Sequence, residues 1–468
     1  MIVRNLYKKY SILIVFLLII AFFASSVCFI FIRSNAFPII NGLILLSFLF
    51  LFRGKYRAYA FIFFSSFTKC MMLINTRIGS FLTWNMLAYI VVVLIERLIA
   101  KKQFTSNEKT LITFYLVFVI TAILADIFNI NNVSILKSIS ALSYLSIPIV
   151  LSLDMKANKE IKIILFVFSL SIIAMNVFAF VFVYIFKQFT SSFLAVYLPK
   201  HIAQMNYNSS NYRFSGLTGD PNHNSLYIVI AISLNLIYSQ KTKRKTIFIH
   251  IMNCIMAFFG LVGQSKTFLL ALIIGFFVIM LDMAKDKKNL STVLIVSSAT
   301  IVCGMFLFIS IPFLSNVLLR FINIDTRVGF LESITTQRLH IWKNYLSYIS
   351  SDPLRIVFGH GVWPTEKLFD WDYHNFYIQI IWEFGLFGTF AFFGYMFKSV
   401  KPTFKEKKIS YTLPIIMLVF YGFSLHILYD EFIYSALYLY KRLIEEYEYS
   451  DSILVGDVKI GEYHEIKI

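Results

Sequence analysis

Four short stretches carry side chains that can do chemistry, in a 468-residue chain otherwise dominated by apolar residues. The first is Arg213-Phe-Ser-Gly-Leu-Thr-Gly-Asp220-Pro-Asn222-His-Asn224-Ser225, a Gly/Pro/Asn turn running into an apolar block. Asn224 or Ser225 is expected to cap a helix there. A helix N-terminus beside an arginine is an anion site; a plain cap with a snorkelling arginine fits the same residues. The second, Gly263-Gln264-Ser265-Lys266-Thr267, holds the single basic residue between Lys245 and Lys285. A charge so close to hydrocarbon is costly. Lys266 either meets a phosphate as a point charge or snorkels to the interface. The third opens at Gln337-Arg338-Leu-His340-Ile-Trp342 and ends at Pro353 and Gly359-His360-Gly361. It predicts an amphipathic helix over Ser333–Ser350, with Leu339, Trp342, Leu346 and Ile349 on one face. Lying on the membrane surface, it would present Arg338 to a cavity or to headgroups. The fourth is His374-Asn375-Phe-Tyr377, then Gln379 and Trp382-Glu383-Phe-Gly385-Leu-Phe-Gly388. Histidine suits proton transfer near neutral pH, although a helix-start histidine bound to backbone is the ordinary alternative. Glu383, deep in an apolar run, must face a wet cavity or a partner.

Other signals are weaker. Asp370-Trp-Asp372 matches a metal-dependent D-x-D pattern, but the soluble nucleotide-sugar domain that uses it is missing. His201, His223, His340, His360 and His374 lack compact ligand spacing, so no metal site is expected. Asp126 and Lys137 are placed to pair. Cys28, Cys70, Cys254 and Cys303 sit far apart within apolar blocks and read as small buried residues.

These pieces need a scaffold, and the composition names its class. Hydrophobic residues make up 58% and charged residues 15%, against about 25% charged in a soluble domain. Mean hydropathy is +0.74, which excludes a disordered chain or an ordinary soluble enzyme. Apolar blocks approach spanning length at 11–32, 36–52, 58–75, 81–99, 110–130, 133–153, 161–186, 225–239, 246–264, 267–281, 290–313, 374–397, 410–428 and 429–443. The blocks at 58–75, with Lys69, and at 429–443, with Asp430 and Glu431, are weak. The expected fold is an all-α polytopic membrane protein with about 12–14 transmembrane helices and a large outer loop containing short helices. No pair of matched interrupted helices stands out, which argues against a transporter.

Most Lys and Arg residues fall on one side when the N-terminus is placed inside, so the net charge of +18 reads as topology and anionic-lipid contact rather than nucleic-acid binding. The expected organisation is N-terminal helices over 1–186 and a catalytic membrane region over 187–397, with long outer loops at 187–224 and 314–373. C-terminal helices at 398–443 and a cytoplasmic tail at 444–468 complete it.

In this order the motifs resemble the Wzy-type O-antigen polymerase and O-antigen ligase superfamily. The residues that carry the resemblance are Arg213, Gly216 and Asp220-Pro-Asn222, then Ser265-Lys266, then Arg338, Trp342, Pro353 and Gly359-His-Gly361, and last His374-Asn375-Phe-Tyr377 and Glu383-Phe-Gly385-Leu-Phe-Gly388. The match covers about residues 210–390. The family usually has arginine where this chain has Lys266, which keeps the charge and loses the bidentate fork.

The resemblance implies a metal-independent, inverting glycosyltransferase of the C type, without cofactors, in the cytoplasmic (inner) membrane. Its active site would lie on the outer face. Such enzymes take a glycan from an undecaprenyl-diphosphate-linked donor and attach it to an acceptor hydroxyl. Arg213, Lys266 and Arg338, with Asn222 and Asn224, would hold the diphosphate, and charge stabilisation would drive its departure. His374 would act as general base or orient the hydroxyl, and Glu383 would set the histidine's state or line the cavity. Asp220, Asn375, Tyr377, Trp363 and Trp371 would contact sugar, an interfacial aromatic belt being the alternative for the tryptophans. The expected activity is a polymerase for O-antigen, capsule or exopolysaccharide. The alternatives are a ligase transferring glycan to lipid A-core (lipopolysaccharide), an oligosaccharyltransferase, or a non-enzymatic flippase. A chain-length regulator and a flippase are the expected partners, with membrane lipids and no nucleic acid.

Overall fold

The structure, a computed structural model, describes residues 2–32, 36–67, 75–76, 79–129, 134–155, 161–181, 214–218, 220–242, 247–285, 291, 338–362, 364, 374–400 and 408–445. The described chain is helical apart from a two-residue antiparallel pairing of β1 (Asn75–Thr76) with β2 (Gly79–Ser80). Its helices are α1 (Ile2–Ile32), α2 (Ala36–Leu51), α3 (Lys55–Ser65), α4 (Phe81–Ile99), α5 (Ser106–Phe128), α6 (Ile135–Leu145), α7 (Ile147–Asp154) and α8 (Ile161–Phe180). They continue with α9 (Pro221–Thr242), α10 (Ile247–Val262), α11 (Lys266–Ala284), α12 (Arg338–Ser350), α13 (Pro353–Phe358) and α14 (Phe376–Val400). A 3₁₀ turn at Ile409–Thr412 leads into α15 (Leu413–Gly422), and α16 spans 431–445.

Four of these, α5, α8, α11 and α14, are long and apolar enough to cross a membrane unaided. The pair α6 and α7, bent by 49° at Ser146, is a fifth span if read as one; Pro148 in the first turn of α7 removes a backbone donor at the bend. Shorter apolar helices cover Leu13–Cys28, Ile39–Leu51, Ile247–Val262 and Ile409–Gly422. The chain is therefore a polytopic, all-α membrane protein. The expected span at 290–313 and most of both long loops lie outside the described residues. The weak block at 58–75 is helical only to Ser65.

Helix α9 is the centre of the fold. It is buried on every side over Pro221–Val229, and its neighbours include α8, α10, α11 and α15. An all-round buried helix is expected to be apolar, yet this one carries polar residues along its length, several of them bonded to other helices. Asn235 donates to Ser169 of α8 (3.0 Å) and to Asn253 of α10 (2.8 Å). Asn224 donates to Asn176 of α8 at 2.8 Å, and Tyr421 of α15 donates to Ser225 at 2.9 Å. In lipid such bonds hold helices together where apolar surface gives no preference.

Three local expectations differ from the structure. Helix α9 starts at Pro221, earlier than a cap at Asn224 or Ser225 would allow; Asp220 accepts from the Asn222 backbone N–H at 2.6 Å, and proline suits the first position. Helix α12 turns Tyr345 and Ile349 inward against Ile378 and Trp382, while Leu346 points out at 47% exposure. Of the four residues expected on one face, Ile349 is buried and Trp342 packs against the same cluster, whereas Leu346 does not. An interrupted helix also exists: α14 breaks at Gly385, whose φ is +61° and ψ −166°.

Candidate active site

The head of α9 gathers three of the four stretches. Ahead of it, Phe214–Thr218 form a tight turn with Gly216 at φ +57°. A Cβ on Gly216 would sit 2.9 Å from Asn176 Oδ1 and 3.0 Å from Asn224 Oδ1, so only glycine fits. The Thr218 hydroxyl donates to the Asp220 carbonyl at 2.8 Å, which fixes the turn on the helix start.

The second stretch arrives from the side. Ser265 caps α11 by accepting from the Phe268 N–H (3.2 Å) and donates its own proton to Asn222 Oδ1 at 2.7 Å. Two helix N-termini, those of α9 and α11, are thereby clamped together. Each points unpaired N–H groups and a positive dipole end at the same corner. Lys266 is the first residue of α11, where the macrodipole disfavours a cation. Gln264 just before it holds φ +46°, a conformation costing a non-glycine residue on the order of 1 kcal/mol. Neither feature helps the fold; both suit an anion-binding corner.

Arg338 comes to the same corner from α12. Burial lowers its pKa, and the nearby Asp220 carboxylate opposes that shift. The third stretch thus meets the first through an attraction between charges.

The fourth stretch completes the site from the opposite flank of α9. His374 holds φ +39° immediately before α14. Its ring lies 5.6 Å from that of His426, which lies 5.6 Å from that of His223. His223 Nδ1 is 3.9 Å from Asp430 Oδ2, and Tyr227 donates to the Asp430 carboxylate at 2.8 Å. Three imidazoles therefore run in a row from the start of α14 to the first turn of α9, ending on a buried carboxylate. Glu383 is fully buried. It accepts from Gln379 Nε2 at 2.9 Å and from the Tyr429 hydroxyl.

A glycine lock sets where Glu383 sits. At the break in α14, the Trp382 carbonyl accepts from the His360 N–H (2.8 Å) and the Glu383 carbonyl from the Gly361 N–H (3.0 Å). A Cβ on Gly359 would meet the Glu383 carbonyl oxygen at 2.5 Å, and one on Gly385 would meet that of Val357 at 2.4 Å. The His360 ring stacks on Trp382 at 3.6 Å. Burial and the nearby Arg355 push its pKa down to about 4. Helix α5 holds the loop from behind: Asp126 Oδ1 accepts from the Val362 N–H at 2.7 Å and Asn129 donates to the Gly359 carbonyl at 3.0 Å. Asp126 therefore bonds backbone, and Lys137 is exposed rather than paired with it.

Several expected site residues are used otherwise. Asn224 is committed to Asn176 in the α8–α9 interface. Asn375 caps α14 by accepting from the Tyr377 and Ile378 N–H groups at 2.9 and 3.1 Å. Tyr377 donates to the Val419 carbonyl at 2.8 Å, against α15. Arg213, Trp363 and Trp371, with Asp370 and Asp372, lie outside the described residues. His426, Asp430, Tyr429 and Tyr227 were not singled out from the sequence. The Asp430-Glu431 pair inside an apolar block was a signal for them, since membrane-embedded carboxylates are rarely idle.

The arrangement defines a class: a multi-pass helical membrane protein with polar and cationic side chains gathered at the head of its central helix. Residues 251–393 match the family model described as O-antigen ligase (Wzy_C), which supports membership of the O-antigen ligase superfamily. No curated protein and no solved structure matches the chain.

Proposed function

We propose that this protein is a polysaccharide polymerase that transfers a glycan from a polyprenyl-diphosphate-linked donor to a hydroxyl of another lipid-linked repeat unit. The observation that carries the reading is the Ser265–Asn222 hydrogen bond, which draws two helix N-termini and Lys266 to the corner where Arg338 faces Asp220. That corner suits a diphosphate, because donors and cations in a partly dry site stabilise the charge that builds on a leaving group.

In the reaction the bond between the sugar's anomeric carbon and the diphosphate oxygen breaks, and the electron pair leaves with the diphosphate. The acceptor oxygen forms the new bond from the opposite face, inverting the centre. Its proton passes to His374, and the imidazole row toward Asp430 gives that charge a route away from the reacting atoms. Arg213 precedes the Phe214 turn in sequence and is assigned to the same diphosphate. The pocket is placed on the outer face of the cytoplasmic membrane, following the distribution of Lys and Arg.

Purified protein reconstituted with lipid-diphosphate repeat units tests the reading. A ladder of lengthening chains is the expected product. A requirement for lipid A-core, with transfer but no ladder, would replace polymerase by ligase.

A further inference from the structure

At the far end of the bundle a second charged cavity lies outside the site just described. Helix α8 runs from Ile161, close in sequence to that cavity, to Asn176, which bonds Asn224 at the head of α9. Its 20 residues span about 30 Å. Helix α16 bridges the same two ends, with Asp430 just before it in the site and Arg442 Nη2 donating to the Met155 carbonyl at 3.5 Å at the other end.

The cavity holds about 600 Å³ and is lined in part by Arg53, Lys55, Arg97, Lys102, Glu96 and Asp154. Its two carboxylates are already engaged. Arg57, fully buried, donates to Asp154 at 2.9 and 2.7 Å and to Glu96 at 2.8 Å, and Tyr89 donates to Asp154 at 2.8 Å. Arg97 is bonded to Glu108 at 2.9 and 3.1 Å, yet its Nε has no hydrogen-bond partner among the described residues, although Arg97 is only 8% exposed. Both terminal nitrogens of Arg97 are used, on Glu108 and on the Leu153 and Gln103 carbonyls. With Arg57 and Glu108 counted, the groups around the cavity still keep more cations than carboxylates, which favours an anion at its mouth. Arg53, at 84% side-chain exposure and with its Nε 3.4 Å from Glu96, and the exposed Lys102 stand at the rim.

The surface beside the cavity is apolar. Leu98 and Ile99 follow Arg97 directly at 75% and 78% exposure, and Ile95 is 48% exposed. Cations around a cleft beside lipid-facing aliphatic side chains match a phosphodiester headgroup with its acyl chains, whereas a soluble anion would have no use for the apolar border.

We propose that the cleft between the start of α3, the end of α4 and the end of α7 binds the headgroup of an anionic phospholipid, with the rim cations Arg53 and Lys102 on the phosphate and the acyl chains along Ile95, Leu98 and Ile99. The test uses the full chain in nanodiscs of phosphatidylcholine and phosphatidylglycerol, with retained lipids counted by native mass spectrometry. Wild type is expected to retain phosphatidylglycerol over phosphatidylcholine. The exposed double variant R53Q/K102Q should lose that preference on the order of tenfold. A control, K162Q/K408Q, removes equal charge elsewhere and should keep it. No preference in the wild type, or equal loss in both variants, overturns the site. Displacement of the lipid by millimolar inorganic phosphate overturns the lipid assignment in favour of a soluble anion.

Discussion

At the residue scale, the account rests on side chains whose positions are poor choices for stability. Lys266 stands at a helix N-terminus against the dipole, and His374 and Gln264 hold left-handed backbone. Sequence alone pointed to Lys266 and His374, because a cation or an imidazole at the edge of an apolar block is easily seen. It did not point to His426, whose role depends on its neighbours: its ring is 5.6 Å from both His374 and His223, residues far away in the chain. If the row carries the acceptor's proton, His426→Asn should lower transfer by about 10²-fold or more and shift the rate–pH profile. An unchanged profile would make the row structural. His360 gives a prediction about stability instead. Its folded pKa of about 4 lies below the ordinary 6.5, so the unfolded chain binds the proton first. Stability from this group is complete above pH 6.5 and falls as pH drops toward 4. Melting curves should show that loss, up to roughly 3 kcal/mol, and His360→Gln should flatten it.

At the scale of elements, long apolar runs gave the membrane-helix class, but of the 12–14 spans expected the described residues hold four helices long and apolar enough to cross, or five with the bent pair; the sequence also missed what depends on packing. The start of α9 at Pro221 was hidden because Asp220, Asn224 and Ser225 are all competent caps; the Asp220–Asn222 bond chose among them. The pattern of α12 placed Trp342 and Ile349 on the packed face but not Tyr345, which turns inward against Trp382 and Ile378. The E-x-G-x-x-G run was legible as a motif, but not as a break in α14. That break needs the Gly359-His-Gly361 loop to satisfy the carbonyls of Trp382 and Glu383. Gly385→Ala therefore adds both a strained φ and a clash with Val357. It should cost at least about 1–3 kcal/mol in thermal stability, and transfer should fall with it because Glu383 moves. A variant with wild-type melting and activity would show that the lock does not position the site.

At the scale of the whole molecule, the class was readable from composition, since a chain with 58% hydrophobic residues has few folds open to it other than a helical bundle in lipid. The convergence of Ser265, Asn222, Asp220 and Arg338 was expected only from the family resemblance and not from any local pattern, because they are spread over more than a hundred residues and nothing local records which helix ends meet. The buried polar bonds of α9 to three neighbouring helices explain how such distant pieces stay in register. The same geometry makes a single claim about the chemistry: the paired helix heads and their cations hold a departing diphosphate. The direct measurement is the ratio of polyprenyl diphosphate released to glycosidic bonds formed, for wild type and for K266A/R338A in the same vesicles. One diphosphate per bond in the wild type, with both products reduced about 10²-fold or more in the variant, is the predicted result. Bond formation without diphosphate release, or a folded variant working at the wild-type rate, would contradict it.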